Sequence, residues 1–125
     1  MSVLDASALL ALLNEEPGAA RVEEALSRPC AMSAVNWAEV LAHNVADSGL
    51  LRAVTSGATP VLSIVPFDDH QARETARIKA ATAGVQLSLA DRACLALGRL
   101  RNAPVLTADR AWRSLKLKVK VVVVR

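Results

Sequence analysis

The sequence predicts an α/β fold, a three-layer α/β/α sandwich around a mainly parallel central sheet of about five strands. Two observations predict it. Short apolar runs, typical of buried strands, alternate along the chain with longer segments of helical periodicity. The strand-like runs are apolar almost throughout, as expected where helices cover both faces of a parallel sheet. No internal repeat interrupts the pattern, so residues 1–125 are interpreted as one domain.

The predicted strands are SVLD (2–5), CAMS (30–33), VLSIVPF (61–67), PVLTA (104–108) and KVKVVVVR (118–125). The lysines in KLKVK stand directly before the last valines. Charged side chains at this point indicate that the final strand lies at an edge of the sheet, where lysine discourages further pairing.

Helical periodicity predicts helices over 6–16, 19–28, 34–49, 68–84, 88–102 and 109–115. Pro17 and Gly18 separate the first two helices, and Gly49 is expected to end the third. The acid pair Asp68 and Asp69 can cap the fourth helix. The stretch LLRAVTSGATP is weakly helical and then turn-like.

The composition excludes several classes of protein. A hydrophobic fraction of 53% across 125 residues is ample for a packed core and argues against disorder. The longest apolar runs, ALLALL and VVVV, are far shorter than the roughly 20 residues that span a bilayer, and no signal peptide is evident. We therefore expect no membrane association and a cytoplasmic location. Cys30 and Cys94 lack metal-ligand spacing and are interpreted as buried, reduced thiols.

Positive charge is concentrated in the last part of the chain. Residues 92–125 contain nine Lys or Arg and one acid, Asp109, although the formal net charge is only +3. Such a segment is compatible with a polyanionic partner such as nucleic acid. A solvated basic rim around the sheet explains the same charge, and both interpretations stay open here.

Acidic residues follow the strands that the pattern predicts. Asp5 ends the first strand, and Asp109 follows PVLTA in the same way. Because ligands of open α/β sheets bind beyond the carboxyl ends of the strands, both acids are expected at the binding edge. Asp91 lies in the first turn of a helix that begins near that edge, and Glu39 is expected on an apolar or weakly polar flank of its helix.

Each of these acids also has a structural explanation. Asp5 and Asp109 can cap helices, Ser88 with Asp91 matches a capping box, and Glu39 can be a solvated helix residue. The remaining acids stand in polar sequence surroundings and need no special explanation: Glu15, Glu16, Glu23, Glu24, Asp47, Asp68, Asp69 and Glu74.

Carboxylates that share one partly buried site repel each other unless a cation is present. Oxygen ligands without Cys or His favour Mg²⁺ or Mn²⁺ over zinc, and such sites serve phosphodiester chemistry. The acidic edge therefore predicts a Mg²⁺ site, with Mn²⁺ as a substitute.

The segments VLDASALLALL, VNWAEVLAH, LSLADRACLALGRL and VLTADRAW resemble the PIN-domain nucleases, specifically the VapC-type toxins of toxin–antitoxin pairs. The resemblance covers essentially the whole chain. It implies a PIN-like sandwich, metal-dependent endonucleolytic cleavage of RNA, a small cognate antitoxin that blocks the site, and commonly a homodimer.

Carried over onto this chain, the resemblance implies that Asp5, Glu39, Asp91 and Asp109 are the catalytic acids. Asp5 and Asp91 are the expected direct metal ligands. Asp109 would complete the acidic wall, and Glu39 would hold a metal or orient the attacking water.

Further residues near these acids are assigned supporting roles. Ser7 and Thr107 are expected to hydrogen-bond to the carboxylates or to metal-bound water, with capping as the alternative. Asn36 is expected to contact substrate or steady Glu39, or to be a surface amide. Arg92, Arg110 and Arg113 are close in sequence to Asp91 or Asp109 and are candidate contacts to the RNA backbone. Arg92 directly follows an acid, so local pairing is the alternative for it.

Other classes fit less well. A haloacid-dehalogenase-type phosphotransferase requires a second Asp where this chain has Ser7, and a response-regulator receiver requires an Asp where the third strand ends in VPF. The nucleotide-binding patterns GxGxxG and GxxxxGK[ST] are absent. A catalytically silent PIN-like module that binds RNA or protein stays open as the alternative. His43 and His70 are not at ligand spacing and are expected to be surface or satisfied histidines.

Overall fold

In a computed structural model, which describes residues 1–43 and 48–125, five parallel strands form one sheet. The strands are β1 (Ser2–Leu4), β2 (Cys30–Ser33), β3 (Leu62–Val65), β4 (Val105–Thr107) and β5 (Val121–Val123). Their order across the sheet is β3-β2-β1-β4-β5, and every neighbouring pair is parallel. The predicted parallel sheet of five strands is confirmed, and β1 lies at its centre.

Helices cover both faces of the sheet. They are α1 (Ala6–Leu13), α2 (Ala19–Ala25), α3 (Ala34–Leu41), α4 (Gly49–Thr55), α5 (Asp69–Ala81) and α6 (Leu89–Arg101), followed by a 3₁₀ helix over Arg110–Ser114. The first four helices, α1 through α4, pack on one face of the sheet and form an apolar core with side chains that include Leu4 and Met32. A second core joins α5, α6 and Trp112 with the opposite face, including Val3 and Ala31. The predicted α/β/α layering is therefore confirmed.

The segment after α3 differs from the prediction. A helix was expected over 34–49, but α3 ends at Leu41, and residues 44–47 lie outside the described residues. Gly49 was expected to end a helix and instead begins α4. The Ser48 hydroxyl accepts a hydrogen bond from the Leu51 amide at 3.4 Å, so serine caps a new helix in place of a glycine ending an old one.

The last strand lies at the edge of the sheet, as its lysines predicted, and Lys116, Lys118 and Lys120 are exposed. The other edge strand is β3. In the described part of the chain, no helix is long and apolar enough to cross a bilayer.

The pairing of β1 with β4 sets the position of the acids. Leu4 pairs with Leu106, so the chain leaves both strands side by side at the carboxyl edge of the sheet. The Asp5 amide continues the ladder by donating to the Leu106 carbonyl at 2.9 Å. Asp5 consequently lies beside the residues that end and follow β4.

Candidate functional site

A pocket of about 220 Å³ opens at this carboxyl edge. It is lined by Asp5, Ala6, Ser7, Leu10, Glu39, His43, Asp91 and Asp109. The fold thus brings all four acids singled out in the sequence to one pocket, although they come from four different parts of the chain.

Asp5 is the buried acid of the pocket, with a relative exposure of 5%. Its Oδ2 accepts hydrogen bonds from the Ser7 hydroxyl at 2.5 Å and from the Thr107 hydroxyl at 3.0 Å. Its Oδ1 accepts none from the described residues. One oxygen is therefore held by the protein, and the other is left for a ligand.

Backbone amides fix the direction in which the two hydroxyls point. The Ala108 amide donates to Ser7 Oγ at 2.9 Å, and the Asp109 amide donates to Thr107 Oγ1 at 3.1 Å. Each hydroxyl oxygen accepts from one amide through a lone pair and donates its single proton to Asp5 Oδ2. The residues that follow β4 thus orient the carboxylate that follows β1.

The environment of Asp5 disfavours its charge. Burial raises the pKa of Asp5 from 3.8 to about 6, and repulsion from Asp91 and Glu39 adds to this rise, while the hydrogen bonds from Ser7 and Thr107 oppose it. Beneath the pocket, burial raises the pKa of the Cys94 thiol well above its usual value, and the same three carboxylates raise it further. Cys94 is therefore a neutral, buried thiol.

Asp91 and Asp109 cap helices and line the pocket at the same time. Asp91 Oδ2 accepts from the Ser88 amide at 2.9 Å in a complete capping box, and Asp109 Oδ1 accepts from the Ala111 amide at 2.9 Å. The sequence left capping and site functions as alternatives, but each acid uses only one oxygen for its cap. The second oxygen of each is free of protein hydrogen bonds within the described residues.

Glu39 was expected on an apolar or weakly polar flank of its helix, and its carboxylate is exposed. Asn36, one turn before it, and Val40, directly after it, are buried against the core. The Asn36 side chain is fully buried, and its Nδ2 donates to Glu39 Oε1 at 3.2 Å and to the Ala90 carbonyl at 3.0 Å. Both partners can only accept, so the amide orientation is fixed and Asn36 ties Glu39 to the start of α6.

The donor set fits a hard divalent cation that keeps part of its water shell. Among the described residues, no three Asp, Glu, His or Cys side chains converge tightly enough to form a complete coordination sphere. Mg²⁺ does not need one, because it is commonly held by one or two carboxylates together with waters and substrate phosphates. None of the four acids forms an ion pair with a Lys or Arg in the described part of the chain.

None of the three basic candidates is among the residues that line the acidic pocket. Arg110 and Arg113 follow Asp109 and are exposed. Arg92 is half-buried and lines a separate depression between α5 and α6 together with Lys79.

His43 was expected to be a surface or satisfied histidine and was given no role in the site. It is exposed, and it also lines the acidic pocket. The available signal was its spacing, because His43 follows Glu39 by four residues, which places the two side chains on the same face when the helical path continues.

A family model described as PIN domain matches residues 2–118 of the chain. The chain belongs to the PIN domain family. The match spans β1 to the segment before β5, so all four pocket acids lie inside it. No curated protein sequence matches the chain significantly.

Solved structures share this PIN-domain fold. A toxin–antitoxin complex from Klebsiella pneumoniae gives a TM-score of 0.71 at 18% identity, with 96% of this chain and 99% of that chain covered. FitAcB from Neisseria gonorrhoeae gives a TM-score of 0.69 at 23% identity, with 97% of this chain and 96% of that chain covered. DNA-bound VapBC from Salmonella typhimurium gives 0.67 at 20% identity, covering 97% and 96%. At these identities the similarity shows the fold over the whole length of the domain.

Proposed function

We propose that this PIN-domain protein is a Mg²⁺-dependent endoribonuclease, the toxin of a VapBC-type toxin–antitoxin pair. One observation carries the proposal: four carboxylates meet in one pocket, each held by one oxygen and free of cationic partners within the described residues. A pocket of this kind attracts a divalent cation and, with it, a phosphate group.

Asp5 and Asp91 would hold Mg²⁺ or Mn²⁺ through their free oxygens. When bound, the metal activates a water molecule and neutralises charge on the scissile phosphodiester. Ser7 and Thr107 keep Asp5 in place through their hydroxyl hydrogen bonds. Thus the ligand is positioned before metal and substrate arrive.

Glu39 and Asp109 complete the acidic wall. Asn36 holds Glu39 Oε1, so Oε2 is available to orient the attacking water and accept its proton. Asp109 contributes its free oxygen next to the end of β4, directly or through water. Arg92, Arg110 and Arg113 are assigned to the RNA backbone because they follow the pocket acids in sequence.

The toxin assignment is supported by the names of the structural neighbours, which are toxin–antitoxin complexes from several bacteria. It implies that a cognate antitoxin binds this chain and suppresses cleavage. Expression of the chain alone should therefore arrest growth, and coexpression of a small antitoxin encoded beside it should restore growth. The homodimer and the cytoplasmic location stay predictions from the sequence.

The experiment is cleavage of RNA by the purified chain, freed of any bound antitoxin. We expect cleavage in Mg²⁺ or Mn²⁺, none in EDTA, and a loss of at least roughly a hundredfold for Asp5→Asn or Asp109→Asn. Asp68→Asn is the matched control, since Asp68 caps α5 through the Gln71 amide but lies outside the pocket.

Asparagine preserves helix capping, so a purely structural Asp109 would give the same result as Asp68. Full activity of Asp109→Asn would therefore limit Asp109 to capping. Absence of RNA cleavage with every metal, together with unchanged binding of RNA or antitoxin, would favour the catalytically silent module instead.

A further inference from the structure

A histidine lines the acidic pocket together with the four carboxylates. His43 shares this lining with Asp5, Glu39, Asp91 and Asp109, and the other lining residues are Ala6, Ser7 and Leu10. Among the described residues, His43 is therefore the one nitrogen-bearing side chain of the pocket lining. Its side chain is exposed, so a substrate that enters the pocket can reach it.

The helical path of α3 brings His43 to the pocket. The helix ends at Leu41, but the His43 amide donates to the Val40 carbonyl at 3.1 Å, so the path continues for two more residues. Residues four apart on such a path lie on the same face, with their Cβ atoms about 6 Å apart. His43 therefore follows Glu39 by one turn, and both side chains reach the same pocket.

The carboxylates of the pocket do not occupy the His43 ring. No hydrogen bond or ion pair joins this ring to any of the four acids, whose partners are hydroxyls, an amide side chain and backbone amides. The four acids consequently leave the imidazole nitrogens available to a bound substrate.

Hydrolysis of a phosphodiester requires two proton transfers. The attacking water loses a proton as its oxygen bonds to phosphorus, and the departing bridging oxygen gains one. In the proposed function the carboxylates hold metal or accept the first proton, and the Ser7 hydroxyl already donates its proton to Asp5. A histidine is suited to the second transfer, because histidine is the commonest proton donor and acceptor in catalysis near neutral pH.

We propose that His43 is the general acid of this pocket and donates a proton from a ring nitrogen to the bridging oxygen of the cleaved bond. The inference rests on the proposed function and adds its second proton transfer. The water oxygen forms a new bond to phosphorus, and its proton passes to Glu39. The bridging oxygen leaves with the electron pair of the broken P–O bond and takes the proton of the His43 imidazolium. One fragment then ends in phosphate and the other in a hydroxyl, and exchange with solvent restores both side chains.

The first measurement is single-turnover cleavage, in Mn²⁺, of a short RNA that the wild-type chain cuts at one mapped position. We expect His43→Gln to lower the rate constant at saturating enzyme by roughly a hundredfold, with little change in the enzyme concentration that gives half of the maximal rate. His70→Gln is the matched control, since His70 is an exposed histidine of α5 outside the pocket. It should cleave at the wild-type rate.

The second measurement replaces the departing bridging oxygen with sulfur. Product analysis identifies that oxygen, because it belongs to the fragment that ends in a hydroxyl. A thiolate leaves without being protonated, since thiols are far stronger acids than alcohols. On this RNA we expect His43→Gln to come within about threefold of the wild-type rate. Glu39→Gln is the slow control, because its defect concerns the attacking water and should persist on the sulfur-containing RNA.

The two substrates separate a general acid from a side chain that only positions the phosphate. An equal loss for His43→Gln on the oxygen and sulfur RNAs would overturn the assignment, and so would cleavage of the oxygen RNA by His43→Gln at the rate of His70→Gln. Both results leave cleavage by the wild-type chain intact. A wild-type chain that cleaves neither RNA refutes the proposed function itself.

Discussion

Two buried acids in this protein differ in whether a cation compensates their charge. Asp5 and Glu74 are almost equally buried, with exposures of 5% and 6%. Glu74 is paired through both oxygens, with Arg77 Nη1 at 3.0 Å and Arg99 Nε at 3.2 Å. Asp5 receives two hydroxyl hydrogen bonds and no cation from the described residues.

The difference distinguishes a structural acid from a candidate ligand. Glu74 joins α5 to α6, and its charge is compensated when the protein folds. Asp5 folds with its charge uncompensated, which is why burial raises its pKa to about 6. A cation that enters the pocket would relieve this destabilisation, and the predictions below test whether the two acids differ as described.

The largest expected effect on stability is that of Asp5→Asn. The folded-state pKa lies above the ordinary value, so the folded protein binds more protons than the unfolded chain between pH 3.8 and about 6. Stability from this group is therefore lost as the pH rises through that interval. Asparagine removes the charge, and in EDTA we expect it to raise the free energy of unfolding by up to about 3 kcal/mol at high pH.

Denaturant titrations at pH 4 and pH 8 check this expectation, with Asp68→Asn as a control that leaves the pocket unchanged. The gain from Asp5→Asn should be mostly lost at pH 4, where folded Asp5 is protonated and the unfolded carboxyl, with a pKa of 3.8, is only about half ionised. Addition of Mg²⁺ at pH 8 should stabilise the wild type and not the variant. Equal stability of wild type and Asp5→Asn at pH 8 would contradict an uncompensated charge at this position.

Glu74→Gln should change stability in the opposite direction and lower the free energy of unfolding. It removes the charge that two arginines share, so we expect a loss of about 1–2 kcal/mol of stability at neutral pH. RNA cleavage should be unchanged, because Glu74 does not line the acidic pocket. The measurement is the same denaturant titration together with the cleavage assay. Asp69→Asn is the control, since its pair with Arg73 is highly exposed and should contribute little. Loss of cleavage without loss of stability would show that Glu74 acts in the site.

The same two acids show what the sequence could predict. Asp5 was predictable because it directly follows a buried strand, and in a parallel sheet the end of a strand has a fixed location. Glu74 was not singled out, because its neighbours in sequence are polar, and yet it is buried. Its burial is decided by α6, which packs on α5 and brings Arg99 to it. The local sequence pattern thus predicted the position of an acid at a strand end, but it did not predict the burial of an acid between two helices.

Contacts between distant segments were the other part that sequence could not supply. The Thr107 hydroxyl reaches Asp5 only because β4 lies beside β1, and the Arg21 contact with Val123 depends on the docking of α2 at the end of β5. Strand order is set by the packing of the whole sheet, so the spacing of residues along the sequence predicts neither contact. The hydroxyl residues could be suspected from the family resemblance, but no pattern pointed to Arg21.

The smallest effect is expected for Ser7→Ala, and it tests how the protein restrains Asp5 without a cation. Loss of this hydroxyl removes one of the two hydrogen bonds that lower the pKa of Asp5, so that pKa should rise further above about 6. The added rise should be at most about one unit, or about 1.4 kcal/mol, because Thr107 still donates to the same oxygen. Carbon-13 NMR titration of the Asp5 carboxyl group measures it in EDTA, with Ser27→Ala as an exposed serine control. An unchanged Asp5 titration in Ser7→Ala would mean that burial alone sets the pKa, and Ser7 would then serve only to hold the Ala108 amide at the end of β4.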